Sequence, residues 1–79
     1  MPDVHTTVVS AIDAIIARRG LVDIHVEVRL ESDLFDDLEL DSLEVLELSG
    51  VLEEGLGRDP FTDGIAPRTV GEVIAYYDT

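Results

Sequence analysis

The residues with the clearest chemical potential form a short run near the middle of the chain, Asp41-Ser42-Leu43-Glu44. Asp41 and Glu44 have the spacing of a capping box, in which two side chains satisfy backbone N–H groups at the start of a helix. Ser42 would then be the first helical residue, and its hydroxyl, which the cap does not need, can face solvent. A phosphate ester there would lie near the free N–H groups and the positive end of the helix dipole. The alternative is that Ser42 only shares in capping.

The helix that follows is predicted to be apolar on two sides. At about 100° per residue, one arc of the helix is predicted to face the core, and it consists of Val45, Leu48, Ser49, Leu52 and Leu56. Val51 lies at the edge of this arc. The opposite side is predicted to face outward and to carry Leu43, Leu46 and Gly50, bordered by Glu47, Glu53 and Glu54. A small apolar area ringed by acids suits a basic partner with an apolar socket. Exposed leucines are also common on ordinary surfaces, and we favour docking because this face adjoins Ser42.

The chain is strongly acidic: 18 Asp and Glu residues against five basic ones give a formal net charge of −13 over 79 residues. Such a surface repels nucleic acid phosphates and anionic membranes, so we expect neither as a partner. It attracts basic protein surfaces instead. All five basic residues are Arg, a composition typical of a bacterial chain from a GC-rich genome.

Metal, membrane and catalytic functions find little support in the sequence. The chain has no Cys, hence no thiolate metal site, and acid pairs such as Asp36-Asp37 lack the pattern of a calcium loop. The N-terminus lacks a signal-peptide pattern, and no apolar stretch approaches the roughly 20 residues that span a bilayer, so we expect a soluble cytoplasmic protein. Ser42 has no evident base, since His5 and His25 lie in other segments. We therefore expect no catalytic residue and no metal ligand.

The elements that must position Ser42 are helices. Helical periodicity predicts a first helix over residues 4–19, with Asp3 as its N-cap. A second helix is predicted over residues 41–56. A third is predicted to start at Thr69, which has capping-box spacing to Glu72. Its apolar face is predicted to contain Val70, Val73, Ile74 and Tyr77.

The connections between these helices are harder to assign. Residues 22–30 alternate as a strand does, but no second strand can pair with them. We interpret them as an extended loop, followed by an acidic connection over 32–40 with a short helical turn. Asp59-Pro60 resembles a helix start and predicts a short helix over 59–65. The whole predicts an all-α fold, a small four-helix bundle with three principal helices, one short helix and a long first loop, in a single domain over residues 1–79.

In these features the chain resembles the acyl carrier protein family. The matching residues are Leu38, Leu40, Asp41-Ser42-Leu43, Glu47, Leu48, Leu52, Glu53 and Glu54, with Thr69-Val70, Ile74 and Tyr77 in the last helix. The likeness covers essentially the whole chain, and its motif is specific only together with helix order, acidity and length. The family fold is a four-helix bundle with a long first loop. Leu40 stands where many members have Gly or Ala, and Gly50 where a larger apolar residue is frequent.

The resemblance implies a carrier function. Ser42 would hold 4′-phosphopantetheine through a phosphodiester, transferred from coenzyme A by a phosphopantetheinyl transferase. The terminal thiol would carry acyl intermediates as thioesters in polyketide or fatty acid-type biosynthesis, and acyl chains could tuck between the helices. Asp41 and Leu43 would form the cofactor-binding site with Ser42 and also take part in recognition. The surface for the transferase, ketosynthase, acyltransferase and other acyl-processing enzymes would comprise Glu44, Leu46, Glu47, Gly50, Glu53 and Glu54. The chain would be a non-catalytic, monomeric phosphoprotein.

Two other functions stay open. An aminoacyl- or peptidyl-type carrier would share the attachment site, although peptidyl carriers usually have His or another residue where Asp41 stands. An unmodified acidic helical adaptor would explain the charge and the exposed leucines, but not a solvent-facing Ser directly behind a capping Asp. Modification of Ser42 would separate carrier from adaptor, and loading assays would separate acyl from aminoacyl cargo.

Overall fold

Three α-helices make up the regular structure of the computed structural model, which describes residues 3–18 and 27–78. They are α1 (Val4–Ala17), α2 (Ser42–Leu56) and α3 (Val70–Tyr76). Within the described ranges there is no strand, and one isolated antiparallel bridge joins Asp33 to Thr69. The three principal helices and the mostly helical class predicted from the sequence are thereby confirmed.

The first helix begins and ends close to the predicted residues. The Asp3 side chain caps it by accepting hydrogen bonds from the Thr6 N–H at 3.4 Å and the Thr6 hydroxyl at 2.8 Å. The helix ends at Ala17, two residues before the predicted end, and Arg18 is its C-cap. Most of the extended loop predicted over residues 22–30 lies outside the described residues. Of that loop, residues 27–29 have no regular structure and a turn begins at Leu30.

The helices enclose one apolar core built at helical spacing. Its residues come from all three helices and from the long connection before α2: Val8, Ala11, Ile12, Ile15, Leu34, Leu38, Leu40, Leu48, Leu52, Val70 and Val73. Burying each large aliphatic side chain contributes about 1.5–3 kcal/mol. α1 contacts both α2 and α3, so this core fixes the direction in which α2 leaves the preceding loop.

The long connection before α2 is held by backbone hydrogen bonds to the start of α3. The Leu34 N–H donates to the Arg68 carbonyl at 2.7 Å, and the Val70 N–H donates to the Ser32 carbonyl at 3.1 Å. A turn follows, in which the Asp37 N–H donates to the Asp33 carbonyl at 3.1 Å. This is the helical turn expected in the connection. These hydrogen bonds satisfy backbone groups of the connection before α2.

The segment expected to form a fourth, short helix consists of consecutive turns over residues 60–64. Its hydrogen bonds have mixed spacing: the Asp63 N–H donates to the Asp59 carbonyl at 3.4 Å, and the Ile65 N–H donates to the Pro60 carbonyl at 2.9 Å. Gly64 has φ +82°, in the left-handed region that ends helical turns. The predicted start is present, because Asp59 accepts the Thr62 N–H as an N-cap does. The chain then turns away before a regular helix is established.

Candidate functional site

The start of α2 is a complete capping box. The Asp41 carboxylate accepts the Glu44 N–H at 2.8 Å, and the Glu44 carboxylate accepts the Asp41 N–H at 3.2 Å. Ser42 is the first helical residue and is exposed. Both features agree with the sequence prediction, and the cap functions without the Ser42 hydroxyl.

Just before α2, two buried leucines flank one residue with a strained backbone conformation. Leu38 and Leu40 are buried, and the Leu40 N–H donates to the Leu34 carbonyl at 2.9 Å. Between them, Glu39 has φ +54°, a left-handed conformation that is unfavourable for a residue with a side chain. This turn lets both leucines reach the core while the chain enters α2, so Ser42 is presented from a rigid base.

The two faces of α2 agree with the prediction from periodicity. Leu48, Ser49 and Leu52 are buried, and Val45 and Leu56 are half-buried against the core. On the opposite side, Leu43 is 74% exposed and Leu46 is 67% exposed. Gly50, Glu53 and Glu54 are also exposed. An apolar surface bordered by acids therefore runs from Ser42 along α2.

One acid of this outward face has a partner that the sequence analysis missed. Glu47 forms an ion pair with Arg18 at the C-terminal end of α1. The hydrogen bond to Glu47 raises the pKa of Arg18, and the charges of Glu47 and Glu44 add to the effect. This ion pair could not be predicted, since nothing in the order of residues shows that α1 ends beside α2.

A groove opens on the other flank of Ser42. It has a volume of about 290 Å³ and is lined by Ser42, Val45, Leu46, Ser49, Phe61 and Thr62. α2 forms one wall and the turns of residues 60–64 form the other. The sequence placed Ser49 on the buried side of α2, but the groove depends on where those turns pack. That information is absent from helical periodicity.

A buried carboxylate, that of Asp59, contacts two of the residues that line the groove. Asp59 is 1% exposed. It accepts hydrogen bonds from the Ser49 hydroxyl at 2.8 Å, the Thr62 N–H at 2.9 Å and the Thr62 hydroxyl at 2.8 Å. Burial raises the pKa of Asp59, but these hydrogen bonds outweigh burial and hold the pKa below its ordinary value of 3.8. Asp59 is therefore ionised at neutral pH.

Tyr76, the last residue of α3, and Tyr77, its C-cap, pack against each other. Their rings meet edge to face with centroids 4.8 Å apart. The Tyr76 hydroxyl donates to Asp63, and the Tyr77 hydroxyl donates to the Arg58 carbonyl at 2.8 Å. Burial and the Asp59 charge raise the pKa of Tyr77 to about 12. These contacts tie α3 to the segment that follows α2.

Residues 3–18 and 27–78 contain no group of three or more His, Cys, Asp or Glu side chains that could hold a metal ion. None of the helices in those ranges has the length and apolar character needed to cross a membrane.

The chain is similar to known carrier proteins. Three relatives named "Acyl carrier protein", from the SM101, ATCC 13124 and 13 strains of Clostridium perfringens, are each 43% identical to it over 51 residues. The match covers 63% of this chain and 67% of each relative. No family model and no solved structure matches the chain.

Proposed function

The chain belongs to the acyl carrier protein family, and from that premise we propose that it carries acyl groups as thioesters on a 4′-phosphopantetheine arm attached to Ser42. The observation that carries the proposal is an exposed hydroxyl at the first position of α2, directly behind a capping Asp41. In the bound arm, the terminal thiol supplies the thioester chemistry. The chain supplies the attachment hydroxyl, its orientation and a surface for enzymes.

The residues around Ser42 fit a phosphate ester. Helix N-termini leave their first N–H groups without helical partners. At α2 the Asp41 carboxylate accepts a hydrogen bond from the Glu44 N–H, and the Asp41 carbonyl accepts one from the Val45 N–H at 3.0 Å. The N–H groups of Ser42 and Leu43 belong to the same first turn, where helical partners are lacking. They and the helix dipole stabilise a negative charge.

Asp41 and Leu43 support the attachment in different ways. Asp41 fixes the first turn of α2, so the Ser42 hydroxyl is presented in one orientation. Leu43 is 74% exposed next to it, where an enzyme that approaches Ser42 would cover it. We propose that Leu43 is an apolar contact for the phosphopantetheinyl transferase and for later enzymes.

The outward face of α2 is the proposed surface for these partners. It consists of Glu44, Leu46, Glu47, Gly50, Glu53 and Glu54. With a net charge of −13, the chain attracts basic enzyme surfaces at long range, which speeds encounter without tight binding. A carrier needs this combination because it must leave one enzyme to reach the next.

We propose that the partners are a ketosynthase, an acyltransferase and other acyl-processing enzymes of polyketide or fatty acid-type biosynthesis. The chain would be their non-catalytic substrate, since the reactions occur at the tethered cargo in the partner's active site. The tether raises the local concentration of cargo at each docked enzyme.

We further propose that residues 1–79 form a single, monomeric carrier domain. The turns over residues 60–64 would stand in place of the short helix of the family's four-helix bundle. Their N-cap at Asp59 and their position beside α2 support this correspondence.

Thioester loading tests the function directly. The chain is incubated with acetyl-coenzyme A and a broad-specificity phosphopantetheinyl transferase, and its intact mass is measured before and after neutral hydroxylamine. We expect a gain of one acetyl-phosphopantetheine group, followed by loss of the acetyl group alone. A folded, initially unmodified chain that gains no mass, with a control carrier modified in parallel, would favour the unmodified adaptor.

A further inference from the structure

The groove beside Ser42 is lined by apolar side chains and by the hydroxyl residues Ser49 and Thr62. Val45, Leu46 and Phe61 supply the apolar part. Ser49 is 8% exposed, and its hydroxyl lies 3.5 Å from the Thr62 hydroxyl. A purely apolar acyl chain would match the walls but would gain no hydrogen bond from the two hydroxyl oxygens.

The hydrogen-bonding capacity of this hydroxyl pair is restricted by the carboxylate beneath it. Each hydroxyl has one hydrogen to donate and two lone pairs that accept. Asp59 accepts the Ser49 hydroxyl at one oxygen and the Thr62 hydroxyl at the other, each at 2.8 Å. An ionised carboxylate accepts only, so both hydrogens are committed to it. The two hydroxyl oxygens are left as acceptors.

This arrangement distinguishes groups that a chain in the groove could carry. A hydroxyl on the chain can donate to the Ser49 oxygen, the Thr62 oxygen or both. An oxo group only accepts, so it faces two acceptors and gains no hydrogen bond. A methylene group gains none either. Hydrogen bonding to an anion also polarises the donating hydroxyls and strengthens them as acceptors.

The groove is within reach of cargo attached to the same helix. Ser42 lies at its edge, and the seven residues from Ser42 to Ser49 span about 10 Å along the helix axis. A chain tethered at Ser42 therefore has a high local concentration at the hydroxyl pair. No other molecule needs to be invoked as occupant.

We propose that the hydroxyl pair of Ser49 and Thr62 makes this groove selective for hydroxyacyl cargo over saturated and oxo chains of equal length. This inference rests on the proposed function, because the cargo reaches the groove through an arm at Ser42. It goes further by naming the class of acyl group that the carrier protects.

The test compares three cargoes on the whole chain. Hexanoyl, 3-oxohexanoyl and 3-hydroxyhexanoyl groups are loaded from their coenzyme A thioesters, and loading at one site is verified by intact mass. The rate of thioester cleavage by hydroxylamine is then divided by the rate for the same acyl group on free pantetheine, which removes the intrinsic reactivity of each thioester. We expect the 3-hydroxyhexanoyl ratio to be about three-fold to ten-fold lower than the other two, the range that one hydrogen bond supplies.

Matched variants assign the effect to the hydroxyl pair. Thr62→Val removes one hydroxyl and keeps the shape, whereas Thr62→Ser keeps the hydroxyl. The preference should fall in Thr62→Val and in Ser49→Ala, remain in Thr62→Ser, and remain in Ser10→Ala, an exposed serine on α1. Circular dichroism of each variant verifies that it is folded.

The possible results distinguish a failure of the cargo selectivity from a failure of the carrier function. A chain that accepts no arm at Ser42 contradicts the carrier function and the inference together. Loading with equal ratios for the three cargoes, or with hexanoyl best protected, leaves the carrier function standing and overturns the selectivity. A preference that survives Thr62→Val and Ser49→Ala also overturns it.

Discussion

The N-termini of α2 and α3 both combine a capping residue with a Glu three positions later, yet their surroundings differ. At α2 the side chains of Asp41 and Glu44 satisfy one another's backbone N–H groups. The next residue, Ser42, is exposed, and so is Leu43. The two capping residues bond each other's backbone N–H groups in this box, and the first helical residue faces solvent.

At α3 the same spacing is used to hold the fold together. Thr69 accepts the Glu72 N–H at 3.1 Å, but Glu72 reaches past the cap to the Arg68 N–H at 2.6 Å. Val70 is fully buried, and the N–H groups of Val70 and Gly71 donate to carbonyls of the long connection. The first N–H groups of α3, which have no partner within the helix, thus donate to carbonyls elsewhere in the fold. Among the described residues, no carbonyl accepts the N–H groups of Ser42 and Leu43 at α2, so the same capping spacing has different surroundings in the two helices.

The largest expected effect is the difference in stability between substitutions at the first helical residues of α3 and α2. Val70→Ser should lower the free energy of unfolding by about 3 kcal/mol, because it removes buried apolar atoms and buries a hydroxyl. Ser42→Val should change it by less than about 0.5 kcal/mol, since the site is exposed. Urea unfolding followed by circular dichroism measures both. Equal losses would contradict the assignment of α3 to structure and α2 to ligand binding.

A charge reversal on the outward face of α2 should slow enzyme encounter. Glu53→Arg should lower kcat/KM of a phosphopantetheinyl transferase several-fold at low salt, with a smaller loss at high salt. Asp13→Arg is the matched control, because Asp13 is an exposed acid on α1. Helicity should be unchanged in both variants. If Asp13→Arg slows transfer as much as Glu53→Arg, the partner surface is not confined to α2.

Removal of each cap should cost similar stability and different activity. Asp41→Ala and Thr69→Ala should each lower the free energy of unfolding by about 1 kcal/mol. Only Asp41→Ala should also slow arm transfer, because it loosens the turn that presents Ser42. The measurement is the rate of mass gain at a temperature where both variants are folded. Equal transfer rates in the two variants would show that the cap does not orient the hydroxyl.

The smallest expected effect is a pH dependence of stability at Asp33, in the connection that is bridged to Thr69 before α3. Backbone hydrogen bonds from Asp36 and Phe35, and then Arg68, hold the pKa of Asp33 below its ordinary value of 3.8. Because the folded-state pKa is the lower one, the stabilisation is present above pH 3.8 and is lost as pH falls through the folded-state value. The Tm difference between wild type and Asp33→Asn should therefore narrow below about pH 4. A difference that stays constant down to pH 3 would contradict this.

Local patterns predicted the features that depend on local physics. The cap at Asp3, the capping box before Ser42 and the outward position of Leu43 follow from spacing along one helix, and all are present. The short helix over residues 59–65 was also inferred from local signals, but only its N-cap formed as predicted.

Features that depend on packing between segments could not be predicted. The Arg18–Glu47 ion pair joins two helices, and the groove needs the turns of residues 60–64 to lie against α2. The buried Asp59 is the clearest case. In sequence it is one more acid among 18, and only the fold brings the hydroxyls of Ser49 and Thr62 to it.

The central claim is that Ser42 is the attachment point of the arm. Its most direct test is the intact mass of wild type and Ser42→Ala after incubation with coenzyme A and an active phosphopantetheinyl transferase, with fragmentation to locate any added group. We expect one phosphopantetheine group on the wild type, located at Ser42, and none on the folded Ser42→Ala variant. A group at another residue, or an equal gain by both chains, would contradict it.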